Sequence, residues 1–229
     1  MICDQRSAVI EFQFEILQGA LPILLQGTLV TIKISFFSFI LALFFGVSVG
    51  VARSRTRRLH MLFAPYVEIF RGTPLLTQLF FIYYGLPTIG ITMDSFPAAC
   101  IGLGLNGGAY ISEIIRSSLL SVEKDQQDAA YALGMSWTQS MFYVIFPQAF
   151  SVAIPPLVNA FSSLLKDTSL VSVLAITELT RVGQLIYTRT FRAFEIYLAI
   201  GCLYFLMTYC ASRFSRYLEM KFKIEGRIS

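Results

Sequence analysis

Charge is what this chain has least of. Of its 229 residues only 14% are Asp, Glu, Lys or Arg, whereas 55% are hydrophobic. A soluble domain carries roughly a quarter charged residues, so the chain lacks the polar coat that a globule of its length needs. Cysteine occurs four times, as Cys3, Cys100, Cys202 and Cys210, with no two at the spacing of metal ligands. The last three lie in apolar segments and read as buried thiols, which behave as small hydrophobes. Histidine occurs once, and His60 lies among basic residues. Neither a phosphate-binding Gly-x-x-x-x-Gly-Lys-Ser/Thr, nor His-Glu-x-x-His, nor Cys-x-x-Cys is present. No composition shift marks a linker or a second domain. These absences leave a single membrane domain without a visible reaction centre, and make an intramembrane enzyme unlike the residues at hand.

What is present is long uncharged sequence. Stretches 34–52, 72–93, 95–112, 129–165 and 196–212 contain no Asp, Glu, Lys, Arg or His, and a membrane span takes about 20 mostly apolar residues. The predicted architecture is an all-α integral membrane protein with five spans, at about 28–51, 74–90, 96–117, 146–166 and 194–213. Arg53, Arg55, Arg57 and Arg58 follow the first apolar segment, and Arg213, Arg216, Lys221, Lys223 and Arg227 follow the last. Basic residues near span ends favour the cytoplasmic side. Both clusters inside require an odd number of spans, hence an outside N-terminus and a cytoplasmic C-terminus. The first residues, "MICDQRSAVIEFQFE", lack the basic-then-apolar order of a signal peptide and are expected to stay attached. Residues 59–72, ending before Pro74, read as an interfacial helix. A basic cluster can also bind nucleic acid, but beside spans of this length the membrane reading stands, and no nucleic acid is expected.

Small residues recur at helix-packing spacing. Gly46 and Gly50 are four apart, as are Gly104 and Gly108, and such pairs let helices approach closely. Gly102, Gly104 and Gly107 also fit the dinucleotide fingerprint, which requires a strand before it and a βαβ unit around it. Membrane-length apolar flanks argue against that.

Polar residues inside spans are costly unless they face protein or a water-filled path. Asn106, Tyr110 and Glu113 fall on one helical face. That face either lines a path or holds a packing network of Glu113 with Arg116. Asn159, Ser162, Ser163 and Lys166 form a second polar stripe, after Pro155 and Pro156, whose freed carbonyls need a neighbour or a cavity.

The uncharged run 129–165 divides. "SVEKDQQD" must be in water, and "AAYALGMSWTQS" has helix formers before Gly134 at a helix end. Residues 128–140 therefore read as a cytoplasmic surface helix and turn, with span four starting near Phe146 or Pro147.

"DAAYALGMSWTQSMFYVIFPQA" is similar to the Glu-Ala-Ala, then Gly, then hydrophobic-Pro signature of bacterial ABC importer permeases. Asp128, Ala129, Ala130, Gly134 and Pro147 match it, with Asp where Glu is usual. "YVEIFRGTPLLTQLFFIYYGLP", "NGGAYISEIIR", "PPLVNAFSSLLKDTSL" and "TELTRVGQ" resemble the branch that imports polar amino acids, from about Gly27 to Glu219. The resemblance implies a type I ABC importer permease fold in the bacterial inner membrane, as a transporter subunit without an ATPase site. It implies pairing with a second permease, a dimer of ATPase subunits that bind ATP and Mg, and an extracytoplasmic solute-binding protein. The five signature residues would then form the ATPase contact, and the two polar stripes the substrate pathway. No cofactor or metal is expected in this chain. An ion channel or other pore would share a polar-lined path but would not need the cytoplasmic signature.

Overall fold

The computed structural model describes residues 14–222, and every regular element among them is helical. Cys3, the N-terminal stretch to Gln13, Lys223 and Arg227 lie outside the described residues, as does the side chain of Lys221. Nine α-helices follow in order: α1 (Phe14–Arg55), α2 (Arg57–Gly72), α3 (Leu75–Phe80), α4 (Ser95–Leu120), α5 (Lys124–Ala132), α6 (Trp137–Ser140), α7 (Phe146–Asp167), α8 (Leu179–Thr190) and α9 (Ala193–Phe222). A π turn and a 3-10 turn extend α3 to Ile89, and a π turn at Met141–Ile145 joins α6 to α7. Four helical runs are long and apolar enough to cross a membrane, Ile16–Arg55, Ser95–Leu120, Trp137–Leu174 and Ala193–Tyr217, and Leu75–Ile89 is a shorter apolar run.

Helix boundaries differ from the sequence reading in informative places. The surface helix begins at Lys124 rather than near 128 and ends at Ala132. Its polar residues Lys124, Gln126 and Gln127 are good helix formers, so water exposure does not mean loop. Gly134 adopts φ +81°, its N–H bonding to Tyr131 O and that of Met135 to Ala130 O. These two hydrogen bonds close the helix end in left-handed geometry. A new helix starts at once. Ser136 Oγ accepts from Gln139 N while Gln139 Oε1 accepts from Ser136 N, a reciprocal cap, and helix then continues to Asp167. Residues 137–140 thus belong to the helix that becomes span four. Pro155 and Pro156 lie within α7 without ending it.

The α1/α4 pair is held by reciprocal glycines. A Cβ at Gly46 would lie 2.4 Å from Ile111 Cγ2, and one at Gly104 would lie 2.8 Å from Leu41 Cβ. Both expected pairs therefore serve close helix approach. Residues 46–50 also fit Gly-x-Ser-x-Gly, a pattern that needs a strand-to-helix turn to expose its serine; here they are mid-helix. Three apolar clusters order the bundle. One joins Ala99 and Leu103 of α4 to Val171 and Leu174. A second joins Ile111, Ile115 and Leu119 to Ile145, Ala149 and Leu164. The third joins Ala20 and Leu24 of α1 to α8 and α9. Only a narrow face of α9 packs inward, so Cys202 and Cys210 are exposed on it, contrary to the expectation of burial, and Cys100 is buried.

Glu178, in the "TELTRVGQ" segment, is fully buried and knits three helices. Its carboxylate accepts from the N–H groups of Thr180 and Arg181 at 2.8 Å, capping α8, and from Tyr204 Oη at 3.0 Å. Thr31 Oγ1 accepts from Leu179 N at 3.2 Å, bringing α1 to the same point. Burial raises the Glu178 pKa, against the lowering effect of these donors. A carboxyl whose folded pKa exceeds its unfolded value, about 4.3, binds protons more tightly when folded, so stability falls as pH rises through that interval. We expect Glu178→Gln to flatten this pH slope and, by weakening the cap, to cost about 1 kcal/mol. Melting temperatures of the detergent-solubilised protein from pH 4 to 8 would show it; an unchanged slope would mean another group titrates.

Candidate functional site

A cavity of about 660 Å³ opens between the α2–α3 break, α4 and α7. Its walls include Arg71, Thr73 and Pro74 from the break, Asn106, Tyr110 and Glu113 from α4, and Asn159, Ser163 and Asp167 from α7. Pro156 also lines it, and Pro155 does not. The structure thus brings five of the seven stripe residues, Asn106, Tyr110, Glu113, Asn159 and Ser163, around one space. Ser162 and Lys166 do not line it. At about 100° per residue, the cavity-facing stripe of α7 centres on Pro156, Ser163 and Asp167, with Asn159 at one edge. Ser162 and Lys166 fall beyond that edge, and Lys166 is exposed.

The break that forms one wall is fixed by amides. Asn106 Nδ2 donates to Phe70 O at 2.9 Å and to Gln78 Oε1 at 3.1 Å, while Gln78 Nε2 donates to Phe70 O and to Thr73 Oγ1. Pro74 removes a backbone donor at this point, and the two side chains satisfy the carbonyls left behind. Asn106 therefore shapes the wall as well as lining it.

At one end of the cavity Glu113 gathers arginines from three helices. Its Oε1 pairs with Arg53 of α1, its Oε2 with Arg116 at 3.2 Å, and Arg71 of α2 stands 4.0 Å away. Arg53 is buried and its second nitrogen lies 3.2 Å from His60 Nε2. The packing network expected for Glu113 and Arg116 is present, and Glu113 lines the cavity as well. Sequence reasoning missed Arg53, Arg71 and Asp167. Arg53 reads as part of the basic cluster, and nothing in the chain's order links it to a carboxylate 60 residues on. Arg71 also lies over the Tyr110 ring, 5.3 Å from its centroid, within cation–π range.

The surface segment is separate from the cavity. Asp128, Ala129 and Gly134 are exposed on and after α5, and Ala130 is buried against the bundle. Pro147 is exposed in the first turn of α7. Leu133, Phe142 and Tyr143 are also exposed, so the segment presents an apolar surface. Arg55 at the end of α1 lies 4.6 Å from the centroid of Trp137, tying this segment to the first helix.

Residues 42–224 match the family model described as binding-protein-dependent transport system inner membrane component. The L-cystine transport system permease protein TcyB of Bacillus subtilis is 43% identical, over 89% of this chain and 88% of that protein. The glutamine transport system permease protein GlnP of Escherichia coli is 37% identical, over 93% and 99% respectively. A chain from a crystal structure of an amino acid ABC transporter with histidines superposes with a TM-score of 0.85 at 34% identity, covering 92% of this chain and 99% of that one.

Proposed function

The chain belongs to the family of binding-protein-dependent transport system inner membrane components, and from that membership we propose that it is the translocating subunit of an ATP-driven importer for a polar L-amino acid or a cystine-like derivative. Its relatives are bacterial amino-acid permeases. The observation that supports the reading best is the cavity, where amide, hydroxyl and charged groups converge inside an otherwise apolar bundle. A zwitterion leaving water needs partners for both charges, and Arg71, Glu113 and Asp167 supply both signs there. The N-terminus would lie outside and the C-terminus inside.

Two ATPase subunits would dock on the Asp128–Pro147 segment, a second permease would complete the path, and a solute-binding protein would deliver substrate. ATP hydrolysis in those subunits would alternate the cavity between the two faces by rigid-body motion. Reconstitution with a cognate ATPase and binding protein in proteoliposomes tests this. Uptake of a labelled amino acid that requires internal ATP and binding protein is expected; ion conductance without ATP would point to a channel instead.

Gly134→Asp gives a sharper test of the docking segment. Asp tolerates left-handed backbone better than most residues, and no atom lies within 4 Å of a Cβ there, so the fold should survive. A charge on the apolar docking surface is expected to cut uptake about tenfold or more, equivalent to about 1.4 kcal/mol, while ATP hydrolysis by the assembled complex persists. Normal uptake by the assembled variant would dismiss the docking role.

A further inference from the structure

Resting on the reading of this cavity as the translocation site, we propose that its separated charges select amino acids whose second cationic group is remote from the α-carboxylate. Arg71 receives the carboxylate and Asp167 the remote cation.

The separation follows from how α4 and α7 pack. Leu119 shares a cluster with Ile145, whereas Ala99 and Leu103 share one with Val171 and Leu174, so the two helices run antiparallel. Gly107 faces Leu164, whose Cδ1 would lie 3.1 Å from a Cβ added there, which sets their levels. Asp167 is three residues further along α7, and Glu113 six residues the other way along α4. At 1.5 Å per residue, their backbones stand roughly 13 Å apart along the bundle. The Arg71 guanidinium is placed at the Glu113 end by its 4.0 Å distance to that carboxylate and its position over Tyr110.

Charge differs between the ends. Glu113 is already held by Arg53 and Arg116, so three guanidiniums surround one carboxylate, and Arg71, at the outermost contact distance and 43% exposed, lines the cavity. Asp167 is in no ion pair among the described residues, and Lys166 beside it is exposed and off the cavity. A half-buried carboxylate in that position favours a cation. An ordinary α-amino acid bears both charges on one carbon and cannot meet both groups together. A diamino acid of lysine type can, and so can a disulfide-linked double amino acid.

The test is equilibrium binding to the purified permease–ATPase complex without binding protein, using lysine, cystine, norleucine and cadaverine. Norleucine keeps the chain of lysine without its amine, and cadaverine keeps both amines without the carboxylate. Lysine or cystine should bind at least about tenfold more tightly than either control; which of the two does so identifies the source of the remote cation. Asp167→Asn should abolish the gap between the preferred ligand and norleucine, with Asp167→Glu retaining it. Arg71→Gln should abolish the gap against cadaverine, with Arg71→Lys retaining part. Equal binding of norleucine by the wild type, or a gap untouched by Asp167→Asn, overturns the selection while leaving the cavity as the site. Failure of all four ligands and of glutamine to bind overturns the site itself.

Discussion

Glu113→Gln is expected to lower stability by about 3 kcal/mol, the low end of what breaking a buried ion pair costs. The Arg53 side chain is only 5% exposed, and its Nε has no hydrogen-bond partner. Taking the charge from Glu113 leaves that guanidinium in a low-dielectric site with a neutral amide and His60 beside it in place of a countercharge. Glu113 and Arg116 are 24% and 29% exposed, so water relieves part of the loss, which is why the low end applies. A second variant makes the cause visible. Replacing both partners with apolar residues, Arg53→Met with Glu113→Leu, removes the stranded charge and should recover most of the stability. Denaturant or thermal unfolding in detergent measures the double variant beside its two singles, Arg53→Met and Glu113→Leu, and the coupling between the sites should be about 1 kcal/mol or more. If the double variant is as unstable as the two single losses added together, the pair contributes nothing as a pair.

Gly50→Val should be as disruptive for a different reason. A Cβ there would stand 2.7 Å from the Ser112 carbonyl oxygen and 2.8 Å from Ile115 Cβ. The first is main chain and cannot swing aside, so α1 and α4 must separate along the face that includes Gly46 and Gly108. Overfilling a packed interface costs about 1–3 kcal/mol, and a β-branched residue against backbone belongs at the top of that range. Gly201 provides the control. Nothing lies within 4 Å of a Cβ at that position in α9, and Gly201→Ala should be neutral or gain up to about 1 kcal/mol from helix propensity. Comparable melting temperatures for Gly50→Val and Gly201→Ala would show that glycine matters here only as backbone.

The paired glycines were legible because spacing alone carries their meaning: four residues apart is one side of a helix, whatever partner comes. Gly134 and Pro74 were legible for a similar reason, since each acts on its own backbone. The Asn106–Tyr110–Glu113 face was found because polar groups in an apolar helix stand out. Arg53 escaped notice because its neighbours Arg55, Arg57 and Arg58 gave it a membrane-orienting role, and only the fold turns it inward toward α4. Asp167 was hidden by Lys166, which looked like the end of the polar stripe; a one-residue difference in angle puts the acid on the cavity and the base outside it. The start of α5 is hard to read because charge resembles a sign of loop, although Lys and Gln favour helix when one face is wet. Sequence order thus conveys local backbone preference well and pairings between distant helices poorly.

From Ser136 onward the chain makes no further turn until Asp167. The reciprocal cap marks one end of a rod of 31 residues, roughly 46 Å at 1.5 Å per residue, whose other end is the carboxylate of the cavity. Such a member would act as a jointed connecting rod: a tilt imposed at its surface end would pass toward the cavity through the π turn at Met141–Ile145 and the Pro155–Pro156 pair, the two places where a helix bends most readily. The left-handed glycine just before the cap would then be the bearing on which the surface helix turns relative to the rod.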